Sequence, residues 1–419
     1  MKQLIIQALN LMRQNRFHTV VSIIGTAVTI AFVMVVAMIY DFRTADIAPE
    51  AGRSQMMYAD EAATYRKLDH TNQNGGGIGR MAYESLFTDL DGVDDVTWYR
   101  GVMKTPCSLP ASLETFNYYV RPVATNWFSF FEYEFIAGRP FTQEEYDAQR
   151  WVTVITERMA RQLFGTTDVV GKEFMTNFFP STIVGVVRDV SAVFQTAYAD
   201  AFSPFSLENE ENYSSWTSGL GGARSVVLKL SSSGTPDAIR AEVQHREDRL
   251  NESPNEYKLE LGKLNTHTEY TFFRGEDISA SFVYGLLILV LLIVPAINIS
   301  GMTHAQMQGR LTEIAVRKAY GASNASIIGR LFTESLCTTL LGGILGYLLS
   351  CLLLWLGRTW MLGNGGVELS GITVDSSLML RPSLFLLVFG ICIVFNLLSV
   401  LLPAWVATRR DIASTIKGE

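Results

Sequence analysis

"VVSIIGTAVTIAFVMVVAMIY", residues 20–40, contains no formal charge over its whole length. Wound as an α-helix it rises about 31 Å, enough to cross a hydrocarbon core of about 30 Å. Three more stretches pass the same test: 278–299, 336–356 and 382–402. Each is too long for a buried strand, whereas the interval 41–274 is polar, contains aromatic residues and has no steady period. The reading is an α+β membrane protein: four transmembrane helices, with a large mixed α/β extracytoplasmic domain inserted between helices 1 and 2.

Basic residues orient the spans. Lys2, Arg13 and Arg16 precede the first; Arg310, Arg317, Lys318 and Arg330 lie between the second and third; Arg409, Arg410 and Lys417 follow the fourth. The positive-inside rule places all three regions in the cytoplasm, and an even number of spans then leaves both termini there. "MRQNR" at 12–16 would also suit a signal peptide, but the apolar run behind it exceeds the usual 7 to 15 residues, roughly, of such a segment.

The interval 41–274 holds 22 Lys+Arg against 33 Asp+Glu, so it carries no basic footprint for nucleic acid. Cys107 is its one cysteine, while Cys337, Cys351 and Cys392 lie in the apolar stretches. The outer domain must therefore fold on its core without internal disulfides, and it is long enough to bury one. "VTVI" at 152–155 reads as a strand before a helix that Thr156 caps and Gly165 ends. A β-branched run at 183–187 reads as a core strand in which Gly185 marks a bulge or a close backbone approach. A further strand is expected at 225–231, and a helix at 235–250 with Ile239, Val243 and Leu250 inward. The polar section 203–222 reads as a loop, and the glycines of 75–79 as a turn that interrupts any regular element.

The outer domain offers little chemistry. No Gly-x-x-x-x-Gly-Lys-Ser/Thr run occurs, and no Gly-x-Ser-x-Gly elbow. His70, His245 and His267 lack metal-ligand spacing, and the pairs Glu144-Glu145 and Asp94-Asp95 read as solvated. Asn212 and Asn251 stand in glycosylation sequons, which matter only in a eukaryotic secretory setting. No catalytic, cofactor-binding or metal-binding residue is assigned.

The charged stretch "RLTEIAVRKAYGAS", 310–323, has a helical apolar period, and Glu313 and Arg317 form an i,i+4 pair of favourable polarity. Gly321 suits a helix end, with Ser323 or Asn324 starting the next helix. Physics alone leaves two roles open, a positive-inside anchor at the lipid head groups or a docking element for a protein partner. At the other end, Leu4, Ile5, Ala8, Leu11 and Met12 form one apolar face, so that 1–17 reads as an interfacial helix before the first span. Gly342, Gly343 and Gly346 in the third span permit close approach between membrane helices.

Residues 298–336, "NISGMTHAQMQGRLTEIAVRKAYGASNASIIGRLFTESL", resemble the permease core of the FtsX and MacB superfamily of ABC transport systems. The family's run of Arg-x-x-Glu-Ile-x-x-Arg-Lys-x-x-Gly-Ala is carried by Arg310, Glu313, Ile314, Arg317, Lys318, Gly321 and Ala322, with Glu334 further on. Residues 8–34 resemble the family's N-terminal helix and first span. Residues 118–141, 152–174 and 182–190 resemble the MacB-type extracytoplasmic core domain. The tail at 401–419 fits, although it lacks the proline that often follows the basic pair.

The resemblance implies a non-catalytic permease subunit of an export or mechanotransmission complex in a bacterial inner membrane. Its coupling helix would rest on a separate cytoplasmic ATPase, which binds ATP and Mg. It also implies a second permease, identical or homologous, and a periplasmic adaptor, lipoprotein or hydrolase as outer partner, beside the membrane lipids. Alternatives are an FtsX-like regulator of an extracytoplasmic cell-wall hydrolase, and a membrane-anchored receptor or sensor without an ATPase. The organisation expected is an interfacial helix at 1–17, spans at 18–40, 278–299, 331–356 and 382–403, an outer domain at 41–277, a coupling loop at 300–330, a short outer loop at 357–381 and a cytoplasmic tail at 404–419.

This topology predicts the labelling of single cysteines introduced into a cysteine-free chain. In intact cells a membrane-impermeant thiol reagent should modify exposed positions in 41–274 and 357–381 and leave those in 300–330 untouched until the membrane is opened. Labelling of 300–330 from outside would invert the topology.

Overall fold

The computed structural model describes residues 16–191, 194–207, 217–272, 323–361 and 385–391, together with 286, 289, 321, 383, 393 and 394. The chain divides into two compact units, and the boundary after the first span falls between Phe42 and Arg43. The expected interfacial helix, second span, coupling loop, short outer loop and tail lie wholly or largely outside the described residues, as does much of the fourth span.

In the first unit, helix α1 (Arg16–Thr44) continues past Tyr40, where the apolar run stops. Two described helices are long and apolar enough to cross a membrane, over Thr19–Thr44 and Ser335–Gly357. The latter lies in the 38-residue helix Asn324–Met361. Hydroxyls inside these apolar helices are satisfied locally. Thr29 donates to the Gly25 carbonyl at 2.9 Å, and the buried Thr339 and Ser350 donate to the Ser335 and Tyr347 carbonyls at 2.8 and 2.7 Å.

The second unit is the mixed α/β outer domain. Its strands in chain order are β1 (Met56–Ala59), β2 (Ala62–Arg66), β3 (Asn72–Ile78), β4 (Val93–Tyr99), β5 (Met103–Ser108), β6 (Phe116–Val123) and β7 (Phe135–Gly138). They continue with β8 (Val152–Thr156), β9 (Glu173–Thr176), β10 (Phe179–Val187), β11 (Ala201–Pro204), β12 (Gly221–Gly222), β13 (Ser225–Leu230), β14 (Tyr257–Leu261) and β15 (Asn265–Thr266).

Six strands close on themselves in the order β11-β8-β10-β9-β5-β6 and back to β11, making a barrel. The β8–β10 and β6–β11 pairings are parallel and the other pairings around the ring antiparallel. Closure removes the edges that an open sheet would leave unpaired. All six barrel strands contribute to one buried cluster, through Cys107, Tyr118, Ile155, Phe174, Ile183 and Ala201. Residues pointing inward from every strand of a closed ring must meet, so this cluster is the barrel interior. Met159, Ala160 and Leu163 of the helix Glu157–Phe164 pack on it; Thr156 caps that helix, accepting from the Met159 amide, and Gly165 ends it with φ 71°.

A row β4-β13-β1-β15 runs outward from β6. Strand β1 is buried on both faces, and its period of two divides it: Met56 and Tyr58 join an aromatic core with Trp127, Phe131 and Phe202, while Met57 and Ala59 join a second core. That second core is covered by the helices Arg80–Leu86 and Pro236–Glu252 and by an antiparallel sheet in the order β12-β3-β2-β14. The longer helix holds Ile239, Val243 and Leu250 inward, as its periodicity requires, and Thr235 caps it.

Two expectations change. Gly75–Gly77 do not interrupt regular structure; they belong to β3, paired to β2 and β12. A Cβ at Gly77 would sit 2.7 Å from the Ala223 carbonyl carbon, so the glycine serves the close passage of two backbones. The section 203–222 is also not all loop: its described part holds the end of β11, a 3₁₀ turn at Phe205–Leu207, and β12. Gly185 shows both features read for it, a register shift beside it and a backbone approach from β7, where it pairs with Gly138 at φ 72°.

Cys107 lies in the barrel interior, and burial raises its thiol pKa to about 11, which keeps it protonated and unreactive. Residues 43–275 expressed alone should therefore be soluble and unfold in one cooperative transition. Reductant should shift the Tm by less than about 1 °C, since the fragment has no internal disulfide to lose. A random-coil circular-dichroism spectrum in native buffer would show that the outer domain depends on the membrane unit.

Candidate functional site

Of the stretch singled out at 310–322, Arg310, Glu313, Ile314, Arg317, Lys318 and Ala322 lie outside the described residues. Gly321 is described: it is exposed with φ 88°, a conformation that glycine adopts without a Cβ clash. The next helix begins at Asn324, and Ser323 caps it, its Oγ accepting from the Ser326 amide at 3.3 Å. A left-handed residue at Gly321 thus stands shortly before the capped start of the helix that carries the third apolar run.

The three glycines of that run are buried against helices of the same chain. A Cβ on Gly342 would lie 2.8 Å from the Thr26 Cβ, and one on Gly346 would lie 2.8 Å from the Ala27 carbonyl oxygen. Gly343 faces the Phe389 ring, and Phe385 stacks on Phe389 while contacting Tyr347 at 4.4 Å. Small residues four apart let two helix backbones touch, which is how apolar helices gain packing where no water drives them together.

In the outer domain, Glu145, Asp95 and Asn251, among the groups first considered for chemistry, have structural roles. Glu145 closes a capping box with Thr142 and pairs with Arg139 at 2.7 Å; the Arg139 hydrogen bond lowers its pKa to about 2. Asp95 accepts from the Val96 amide and from Asn126. The Asn251 side chain bonds both backbone groups of Leu259 at 2.8 Å, while Asn212 lies outside the described residues. His70 and His245 are exposed. Among the described residues no cluster of three or more His, Cys, Asp or Glu side chains could hold a metal.

His267 is different. It is buried at the start of the helix His267–Phe272, directly after β15, which pairs with β1. Its Nε2 lies 2.8 Å from the Arg43 carbonyl and its Nδ1 2.9 Å from the Tyr58 hydroxyl. A carbonyl only accepts, so Nε2 carries the proton and Tyr58 donates to Nδ1. Burial lowers the imidazole pKa, in keeping with a neutral ring. Tyr270 stacks on Tyr58 at 4.3 Å and its hydroxyl meets that of Tyr99 at 3.2 Å.

Beside it lies a buried ion pair. Arg53 Nε donates to Glu50 Oε2 at 2.8 Å, Arg53 also donates to the Ala45 carbonyl, and its guanidinium lies 4.6 Å from the centroid of the Phe194 ring. Glu50 Oε1 accepts from two consecutive amides, Thr196 and Ala197, at 3.2 and 2.8 Å. The same segment is gripped by Arg121, which donates to the carbonyls of Gln195 and Tyr198 and lies 4.9 Å from the centroid of the Tyr99 ring. Sequence reasoning passed over these residues, because Glu50 and Arg53 sit in the irregular stretch "DIAPEAGRSQ" and nothing local marks them as buried.

The chain matches the model of the MacB-like periplasmic core domain over residues 19–246 and that of the FtsX-like permease C-terminal region over residues 285–412. It is 23% identical over 282 residues to the uncharacterized ABC transporter permease YknZ of Bacillus subtilis, covering 63% of this chain and 66% of that one. It is 23% identical over 359 residues to the macrolide export ATP-binding/permease protein MacB of Pasteurella multocida, covering 83% of this chain and 52% of that one. Among solved structures, the periplasmic region of MacB from Actinobacillus actinomycetemcomitans is 14% identical and aligns over 50% of this chain and 89% of its own, with a TM-score of 0.36. The chain therefore spans about half to two thirds of the length of these curated relatives. With the first family model covering more than half of its residues and the second most of the rest, the chain belongs to the FtsX/MacB superfamily of permeases and carries a MacB-like periplasmic core domain.

Proposed function

We propose that this chain is the permease subunit of an ABC-type export or mechanotransmission complex, in which a separate cytoplasmic ATPase drives movement of the outer domain. The observation that carries this is the joining of a MacB-like core domain to an FtsX-like permease region in one chain. The reading assigns ATP and Mg to the partner ATPase and no catalytic step to this chain. In this reading four spans leave both termini and the loop 300–330 in the cytoplasm of a bacterial cell, with the outer domain on the far side of the inner membrane.

In this reading Arg310, Glu313, Ile314, Arg317 and Lys318 form the helix that docks on the ATPase, and Gly321 and Ala322 form the turn behind it. The positive φ at Gly321 and the Ser323 cap support a direct hand-over from that helix into the third span. Packing of Gly342 and Gly346 on α1 would then carry the movement to the helix that leads into the outer domain. A second permease completes the assembly, and an adaptor, lipoprotein or hydrolase meets the outer domain.

Two expected outcomes follow. Arg317→Glu combined with Lys318→Glu should leave membrane insertion intact, since Arg310, Arg330 and the terminal cations remain, but weaken capture of the ATPase at least about tenfold in co-purification. Normal capture with normal coupled hydrolysis in lipid discs would return the stretch to a positive-inside anchor. Gly346→Leu should force α1 and its neighbour apart and lower the melting temperature of the purified permease by several degrees, corresponding to roughly 1–3 kcal/mol of overpacking. Leu→Ile at the exposed position 345 should not, and equal melting of the two variants would remove the packing role.

A further inference from the structure

Two chain segments connect the outer domain with its neighbouring spans: residues 43–55, which begin in the last turn of α1, and residues 265–272 before the second apolar run. They are fastened to each other through His267, whose imidazole bonds the Arg43 carbonyl, and through the pairing of β15 with β1. They are also fastened to residues 194–198, the strap leading into barrel strand β11. From the first segment this is done by Glu50 on the Thr196 and Ala197 amides; from the aromatic side it is done by Arg121, reached through Tyr58, Tyr270 and Tyr99.

We infer that this buried polar network is a clamp that makes the outer domain move as one body with the end of α1, so that displacement at Arg43–Ala45 reaches the barrel strap at 194–198 instead of being absorbed at the junction. The inference rests on the mechanotransmission reading and names the residues that carry the movement. The choice of polar groups supports it. Replacing a buried ion pair by packed apolar side chains is often neutral or stabilising, so Glu50 and Arg53 are not explained by stability alone. Apolar contacts tolerate sliding, whereas hydrogen bonds weaken steeply with angle and distance. A carboxylate that holds two successive amides leaves the strap no register in which to slip, and Arg53 ties that carboxylate to the Ala45 carbonyl just past the last turn of α1. His267 does the same for the returning segment: its Nε2–H holds Arg43 while Tyr58 fixes its other nitrogen. Asp46, which accepts from both the amide and the hydroxyl of Ser54, keeps the first segment folded back on itself.

The test uses the full permease with its ATPase in lipid discs. A spin label at Ser232→Cys, in the exposed turn after β13, is placed in a chain whose other cysteines are replaced, and label-to-label distances between the two permeases are recorded with and without ATP and vanadate. Wild type should show an ATP-dependent shift. His267→Leu should reduce that shift at least about fivefold while ATP hydrolysis, carried by the partner, stays within about twofold. His267→Gln, which keeps a side-chain N–H, should restore most of it, and Tyr58→Phe, which removes one hydroxyl and little volume, should give an intermediate loss. Hydrogen exchange at residues 194–198 should become faster in His267→Leu and Tyr58→Phe with no change in the barrel strands, a pattern that general unfolding would not produce. A wild type without any ATP-dependent shift would overturn the mechanotransmission reading and the clamp with it. A wild-type shift reproduced in full by both His267→Leu and Tyr58→Phe would overturn the clamp alone.

Discussion

The contact between His267 and the Arg43 carbonyl joins two points of the chain 224 residues apart, and the outer domain is strung between them. The pairing of β1 with β15 fastens the same two segments a second time. Tyr58 and Tyr270 stack beside this contact, and β1 runs antiparallel to β15. A neutral, buried imidazole suits this role, since it offers one donor and one acceptor on opposite sides of a rigid ring.

From that closure the domain grows in two directions. Strand β1 sends Met56 and Tyr58 into the aromatic core shared with the barrel side and Met57 and Ala59 into the core under the Pro236–Glu252 helix, so a single strand belongs to both cores. Burial of large side chains such as Trp127, Phe131 and Phe202, each contributing about 1.5–3 kcal/mol, makes the barrel side rigid. The barrel also removes its own edges by the parallel pairing of β6 with β11. The strap at 194–198 is held at four of its residues, Gln195, Thr196, Ala197 and Tyr198, by side chains from elsewhere in the chain.

Much of this was legible in the residues. The cap at Thr156, the stop at Gly165, the buried face of Ile239, Val243 and Leu250, and the bulge at Gly185 all follow from local rules whose partners lie within a few residues. The glycines of 75–77 were misread because glycine has two meanings, freedom to turn and room for a neighbour, and only the approach of residue 223 selects the second. Glu50 and Arg53 gave no local signal, since charged residues in an irregular stretch are ordinarily solvated.

By itself the sequence determined that the first and third apolar runs form helices long and apolar enough to cross a membrane, that the domain between the first two runs is mixed, and the superfamily, because hydropathy, period and motif spacing are properties of neighbouring residues. Tertiary structure alone decided that six of the strands close into a barrel, that Gly342 and Gly346 face α1 of the same chain, that His267 bonds Arg43, and that Glu50 and Arg121 both bond the segment 195–198. These depend on contacts between residues separated by tens to hundreds of positions, where burial and not local pattern sets whether a polar side chain faces water or another part of the chain.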